Sequence, residues 1–257
     1  RDWRITIGGD GHDCAIDPKD PNVIYCESQQ GYLRRFDRQT GESVDIRPQP
    51  EKGEMNLRFN SDAPIHISPH DHKRLYFGSR KLHRSDDRGD NWTTVSDDLS
   101  RGLDRFKEPI MGRVWSIDAT WDLLAMSQFG NITSISESPV EEGLIYVGTD
   151  DGLIQVTEDG GQSWRKVDKI FDVPEFFFVN DIKADRFDAN TVYACVDHHK
   201  TGDYSPYVIK STDRGRHWTL LNGDLPERHI TWRINQDHEQ PNLLFLGTEY
   251  GLFTSIN

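Results

Sequence analysis

Short stretches of alternating apolar and polar residues recur along the chain, in CAIDP, IHISP, ITSISESP, NDIKAD and WRINQD, each closed by Pro or Asp. Period-two alternation puts every second side chain on one face and predicts a strand, and the Pro, Asp and Asn that follow end pairing and preset turn dihedrals. Five turn-and-strand segments then align without a gap: DPKDPNVIY from Asp17, SPHDHKRLY from Ser68, SPVEEGLIY from Ser138, DRFDANTVY from Asp185 and DHEQPNLLF from Asp237. Each runs from Ser or Asp to an aromatic, at Tyr25, Tyr76, Tyr146, Tyr193 and Phe245. A second turn and a third strand follow each aromatic, as in QQGYLRRF, RKLHRS, DDGLIQVT, an expanded HHKTGDYSPYVIKS, and EYGLFTS. Each unit therefore reads as an antiparallel meander.

The third strand leads into the most specific signal in the chain. Ser85, Asp87, Gly89 and Trp92, then Thr157, Asp159, Gly161 and Trp164, then Ser211, Asp213, Gly215 and Trp218 all obey S/T-x-D-x-G-x-x-W. A short Asp side chain accepts hydrogen bonds from turn N–H groups, Gly supplies a positive φ, and Trp anchors the fourth strand in the apolar layer. A degenerate copy surrounds Asp37 and Gly41 in FDRQTGES, and the fifth unit stops at Ser255-Ile256-Asn257, where its own copy would begin. A repeat of roughly 40 to 50 residues built from strands predicts a β-propeller. The expected fold is all-β, with four-stranded antiparallel blades at about 8–48, 60–96, 130–170, 177–222 and 229–257, the last incomplete. An insertion at about 97–130 lengthens the step between Tyr76 and Tyr146. Five blades are expected to form an open arc or to rely on further blades of a seven-bladed or longer parent, because an incomplete ring leaves strand edges and apolar faces unpaired.

In such a blade the turn joining strands two and three lies on the face opposite the quartet turn, where loops from all blades converge on the central channel. Gln29, Arg80, Asp150, Asp197 and Glu249 occupy that turn. Two carboxylates facing a cleft are what glycoside hydrolysis needs, so Asp150 with Glu249 or Asp197 is the candidate catalytic pair; at tight turns beside Gly the same residues also serve as ordinary turn formers. The insertion, with ATWDLLAM as a possible short helix, joins blades two and three on that face as a lid or groove wall. Arg80, Trp115, Trp121 and Trp232, with Phe176 to Phe178, are candidates for ligand contact, the aromatics by stacking on a sugar ring or gripping a peptide.

Charge and cysteine content narrow the picture. Thirty Lys and Arg against 43 Asp and Glu give a net charge of -13, which disfavours nucleic acid as a partner. No stretch approaches the roughly 20 apolar residues of a membrane helix. Cys14, Cys26 and Cys195 follow neither a zinc nor a disulfide-framework spacing, though Cys14 and Cys26 can face each other across the first hairpin. His12, His70, His72, His198 and His199 lack a third ligand at metal spacing, and no D-x-D-x-D-G loop is present, so neither metal nor cofactor is expected.

The three quartets and the opening GGDGHDCAIDPKDPNVIY resemble the BNR or Asp-box repeat proteins, and MGRVWSID, YVGTDDGLIQVTEDGG, KSTDRGR, GDLPER and LFLGTEYGLF resemble large bacterial members described as sortilin-like (VPS10-type) or glycosyl-hydrolase-like. That resemblance implies a secreted chain, extracellular or periplasmic, forming part of a scaffold that binds glycan or protein. It leaves two alternatives: a glycoside hydrolase acting on polysaccharide, or a receptor-like propeller that takes peptides. Sialidases of this superfamily carry Arg-Ile-Pro, and Arg4-Ile5-Thr6 departs from it. Xyloglucan-active members place a catalytic Asp, followed by Gly, in the turn after a strand; Gln29 departs from that pattern, whereas Asp150 in TDDG and Glu249 in TEYG fit it.

Overall fold

The computed structural model describes residues 5–104, 106–109, 112–115 and 129–255. Its strands are β1 (Gly11–Ile16), β2 (Val23–Ser28), β3 (Tyr32–Asp37), β4 (Ser43–Asp45), β5 (Ile65–Ile67), β6 (Leu75–Gly78), β7 (Leu82–Ser85), β8 (Thr93–Thr94), β9 (Ile132–Glu137) and β10 (Ile145–Thr149). They continue as β11 (Ile154–Thr157), β12 (Arg165–Val167), β13 (Phe178–Ala184), β14 (Val192–His198), β15 (Asp203–Ser211), β16 (Thr219–Leu220), β17 (Thr231–Gln236), β18 (Leu244–Thr248) and β19 (Leu252–Ser255). Consecutive strands pair antiparallel into four four-stranded sheets and a fifth of three, β17-β18-β19. Among the described residues there is no α-helix. Each first strand packs against the first strand of the next sheet, β1 on β5, β5 on β9, β9 on β13 and β13 on β17, which is the radial stacking of propeller blades around a shared channel.

The repeat has a local physical cause. The aligned Ser or Asp caps the first turn of every blade with its own side chain: Asp17 accepts from the N–H of Lys19 and Asp20, Ser68 from His70, Ser138 from Val140 and Glu141, Asp185 from Phe187 and Asp188, and Asp237 from Glu239 and Gln240. These are the side-chain-to-backbone turns that Ser and Asp favour. The aromatic that ends each of the first four segments enters the core, and Tyr25, Tyr76, Tyr146 and Tyr193 are all buried, while Phe245 of the fifth is half-buried.

The quartet turns repeat to within a few tenths of an ångström. Ser85 Oγ, Thr157 Oγ1 and Ser211 Oγ donate to Asp87, Asp159 and Asp213 at 2.8, 2.7 and 2.8 Å, and accept from the N–H of Gly89, Gly161 and Gly215 at 2.8, 2.9 and 2.8 Å. Gly161 has φ +100 and sits so near the preceding blade that a Cβ would lie 2.5 Å from the Val95 carbonyl oxygen, which excludes any other residue there. Trp92 Nε1 donates to Ile46 O and Trp164 Nε1 to Val95 O, each reaching the outer part of the preceding blade. Trp218 differs: it folds inward, 8% exposed, and donates to Gly215 O of its own turn.

Adjacent blades are also tied by polar bridges. His72 and Arg88 of blade two meet the Asp17 carboxylate, and His70 Nε2 lies 2.8 Å from Ser138 O of blade three. These two histidines are thus bridges between blades. Cys14 and Cys26 are direct cross-strand partners with their Sγ atoms in contact.

Candidate functional site

The first strands share an irregularity that builds the site. In blades three, four and five the ladder between strands one and two slips by one residue, at Gly148/Thr149, Val179/Asp181 and Thr231/Arg233. The residue left over on the inner strand is Thr133, Asn180 or Trp232. An extra bulge residue bends the strand and re-aims its side chain, and here all three line one cavity of about 340 Å³.

Blade four supplies most of the remaining wall, through Phe178, Asp197, His199 and Lys200, while Arg233 and Asp62 come from blades five and two. Asp197 is 1% exposed. Its carboxylate accepts from Asn180 Nδ2 at 2.7 Å and from the His199 N–H at 3.1 Å, and touches His199 Nδ1 at 2.5 Å. Asn180 also donates to Thr231 O at 2.8 Å, so one amide fixes the carboxylate and joins blade four to blade five. With Nδ1 tied to Asp197, Nε2 is the imidazole nitrogen left for a ligand, and a carboxylate partner of this kind sets the tautomer and orientation of the ring.

Beside this dyad, the His199 and Trp232 rings meet edge to face at 6.0 Å, and Lys200 Nζ stands 4.7 Å over the Phe178 ring. Trp232 is 37% exposed, far more than the core aromatics, and so has free ring surface to offer. Aromatic faces beside an amide, an imidazole and two cations suit a ligand with apolar ring faces and a rim of hydroxyls or acidic groups.

The other expected site residues lie elsewhere. Asp150 is buried at 6% exposure, and Oδ1 accepts from the N–H of both Gly130 and Asn131 at 2.8 Å while Oδ2 accepts from Asn60 Nδ2 at 3.1 Å. It clasps the segments that lead into blades two and three, and desolvation pushes its pKa up to about 7. Glu249 is exposed at the β18–β19 turn, its N–H donating to Ile230 O. Neither lines the cavity that Asp197 lines. Arg80 pairs with Asp98 at 3.7 Å and donates its N–H to Arg58 O, holding the start of the insertion. Trp115 carries the Arg113 guanidinium 4.1 Å over its ring. Trp121 and the ATWDLLAM stretch lie outside the described residues. Phe177 is core at 1% exposure, and Phe176 is exposed, with the Arg101 guanidinium 4.8 Å over its ring, but does not line the cavity.

The sequence pattern does not mark Thr133, Asn180 or Lys200, and marks His199 only as one of a histidine pair. One signal for two of them was available: Thr133, Asn180 and Trp232 stand at the same offset before the turn-capping Ser138, Asp185 and Asp237.

No family model matches the sequence. The xyloglucanase Xgh74A of Acetivibrio thermocellus is 29% identical over 150 residues, which is 54% of this chain and 18% of that protein. Among solved structures, the GH74 xyloglucanase of Xanthomonas campestris superposes with a TM-score of 0.56 at 17% identity, over 99% of this chain and 45% of its own. The extracellular domain of BT4673 from B. thetaiotaomicron gives 0.60 at 15% identity, over 99% and 28%. The chain thus spans less than half of each of these proteins, and none of the three is of the sortilin type. What they share with it is the fold: an all-β propeller segment like those of glycosyl hydrolases.

Proposed function

We propose that this chain is part of an extracellular or periplasmic propeller that binds a polysaccharide at the central cavity, with Trp232 and Phe178 as ring platforms and Asn180 and His199 as hydroxyl partners. The observation that carries the reading is the conjunction of a partly exposed Trp232 with the fixed Asp197–His199 pair on one wall. The xyloglucanase relative directs the choice of glycan, and further blades of a longer parent complete the groove.

The test is calorimetric titration of the chain with xyloglucan oligosaccharides and other β-glucan oligomers. Binding is expected, and Trp232→Ala weakens it about tenfold or more, the loss of one well-packed aromatic contact, with an unchanged melting temperature. Binding of extended peptides without response to any glycan would overturn the reading in favour of a receptor-like propeller.

A second reading, glycoside hydrolysis, is favoured by two carboxylates, Asp197 and Asp62, on the walls of one cavity, with Asp150 and Glu249 as the other candidates. Asp197→Asn is then expected to abolish release of reducing ends from xyloglucan by the parent protein while oligosaccharide binding persists. Equal release by both forms removes Asp197 from catalysis.

A further inference from the structure

Blade one departs from its neighbours at one buried position. The second residue after the aligned aromatic is Gly78, Gly148, Cys195 and Gly247 in the later blades, and Glu27 here. Small residues are needed there because the next blade's first strand passes close: a Cβ on Gly78 would lie 2.7 Å from Ile132 Cγ2, and one on Gly148 would lie 2.3 Å from Val179 Cγ1. Glu27 nonetheless sits between blades one and two with 0% exposure. Gly31 N–H donates to Oε1 at 3.2 Å and the Ala63 N–H of blade two also faces the carboxylate, but buried Oε2 makes no hydrogen bond of normal geometry. An unpartnered buried carboxylate oxygen is among the most costly groups a fold can hold, and Glu27 is accordingly pushed up to about 9 by its burial.

Two further ligand types converge on that carboxylate. His12 stands at the same offset before Asp17 as Thr133, Asn180 and Trp232 do before their turn residues, and the β1–β2 ladder slips there too, between Gly11 and Cys14. Asp62 comes from the entry to blade two, and its Oδ1 lies 3.7 Å from His12 Nδ1. Donor atoms of His12, Glu27 and Asp62 all lie within 4.8 Å of one another. A divalent ion bound at about 2.0–2.2 Å separates its ligands by less than this, so a small rotation of the exposed His12 and Asp62 side chains closes the set onto the fixed Glu27.

We propose that His12, Glu27 and Asp62 form a divalent transition-metal site, with zinc the best fit, at the seam between blades one and two. One imidazole with two carboxylates suits Zn²⁺ or Mn²⁺, whereas Ca²⁺ and Mg²⁺ take oxygen ligands almost alone. Three protein ligands leave a coordination position open. Asp62 also lines the central cavity, so the ion borders the proposed glycan site without being required by it.

The test is titration of the chain with ZnCl₂ alone in a non-chelating buffer, with no affinity tag, followed by calorimetry and thermal melting. The expected result is one ion per chain and a melting temperature that rises with free zinc. His12→Ala, Asp62→Asn and Glu27→Gln each weaken binding at least ~10-fold, and His199→Ala, in the other histidine cluster, leaves it unchanged. Without zinc, Glu27→Gln melts at or near the wild-type temperature, since it replaces one buried neutral group by another of the same shape; with zinc the wild type melts higher. His12 and Asp62 are exposed, so their variants decide the matter even if Glu27→Gln does not fold. No saturable zinc binding by the wild-type chain, binding indifferent to His12→Ala and Asp62→Asn, or tighter binding of Ca²⁺ than of Zn²⁺ would each overturn the proposal.

Discussion

Replacing Trp218 with alanine is expected to lower stability by about 3–5 kcal/mol, the range for truncating a large buried aromatic. Trp218 packs into the cluster that joins blades three and four, with Tyr146, Val156 and Ile209 around it. Its equivalents are expected to cost less, because Trp92 and Trp164 are only half-buried: each packs on the edge of a core cluster and donates one hydrogen bond to the preceding blade, so truncation exposes less apolar area. Urea denaturation of the three single variants should therefore rank Trp218→Ala well below the other two. A Trp218→Ala variant within about 0.5 kcal/mol of wild type, the scatter of surface substitutions, would mean that the quartet's tryptophan is not what fastens blade four to blade three.

That ranking separates what local chemistry encodes from what only packing decides. The five turn-capping residues and the three quartets were legible because a turn must satisfy its own N–H groups within a few residues, and Ser, Thr, Asp and Gly at fixed spacing are the side chains that do so. Whether a tryptophan lies inward or reaches sideways depends on the neighbouring blade, and nothing in SxDxGxxW distinguishes Trp218 from Trp92. The site was legible for the same reason only in part. Trp232 and Asp197 attract notice by residue type. Asn180 matters because a ladder slip aims it at Asp197, and His199 because the expanded β14–β15 connection folds it back onto the same carboxylate. Asp150 shows the converse. Its TDDG context carries the likeness to a catalytic turn, yet its oxygens are taken up by Gly130, Asn131 and Asn60, which approach from other segments.

Asp150 should accordingly announce itself in stability. In the folded chain burial holds its proton on to about pH 7, whereas in the unfolded chain it ionises near 4. Between those values the folded state binds more protons than the unfolded state, so this residue's contribution falls as pH rises through the window and is flat above it. Asp150→Asn keeps the shape and cannot ionise. Its stability relative to wild type is therefore expected to climb from pH 4 to pH 8, by at most roughly 4 kcal/mol, in urea melts at matched ionic strength. Asp150→Ala cannot ionise either, but it strands three donors in a buried place and should lie about 2–4 kcal/mol below Asp150→Asn at every pH. A pH-independent difference between Asp150→Asn and wild type would show that the carboxylate is already ionised at low pH, its three donors outweighing desolvation. An Asp150→Ala variant as stable as Asp150→Asn would show that the clasp is dispensable, and loss of turnover in a stable Asp150→Asn parent protein would return the residue to the catalytic role its sequence context suggests.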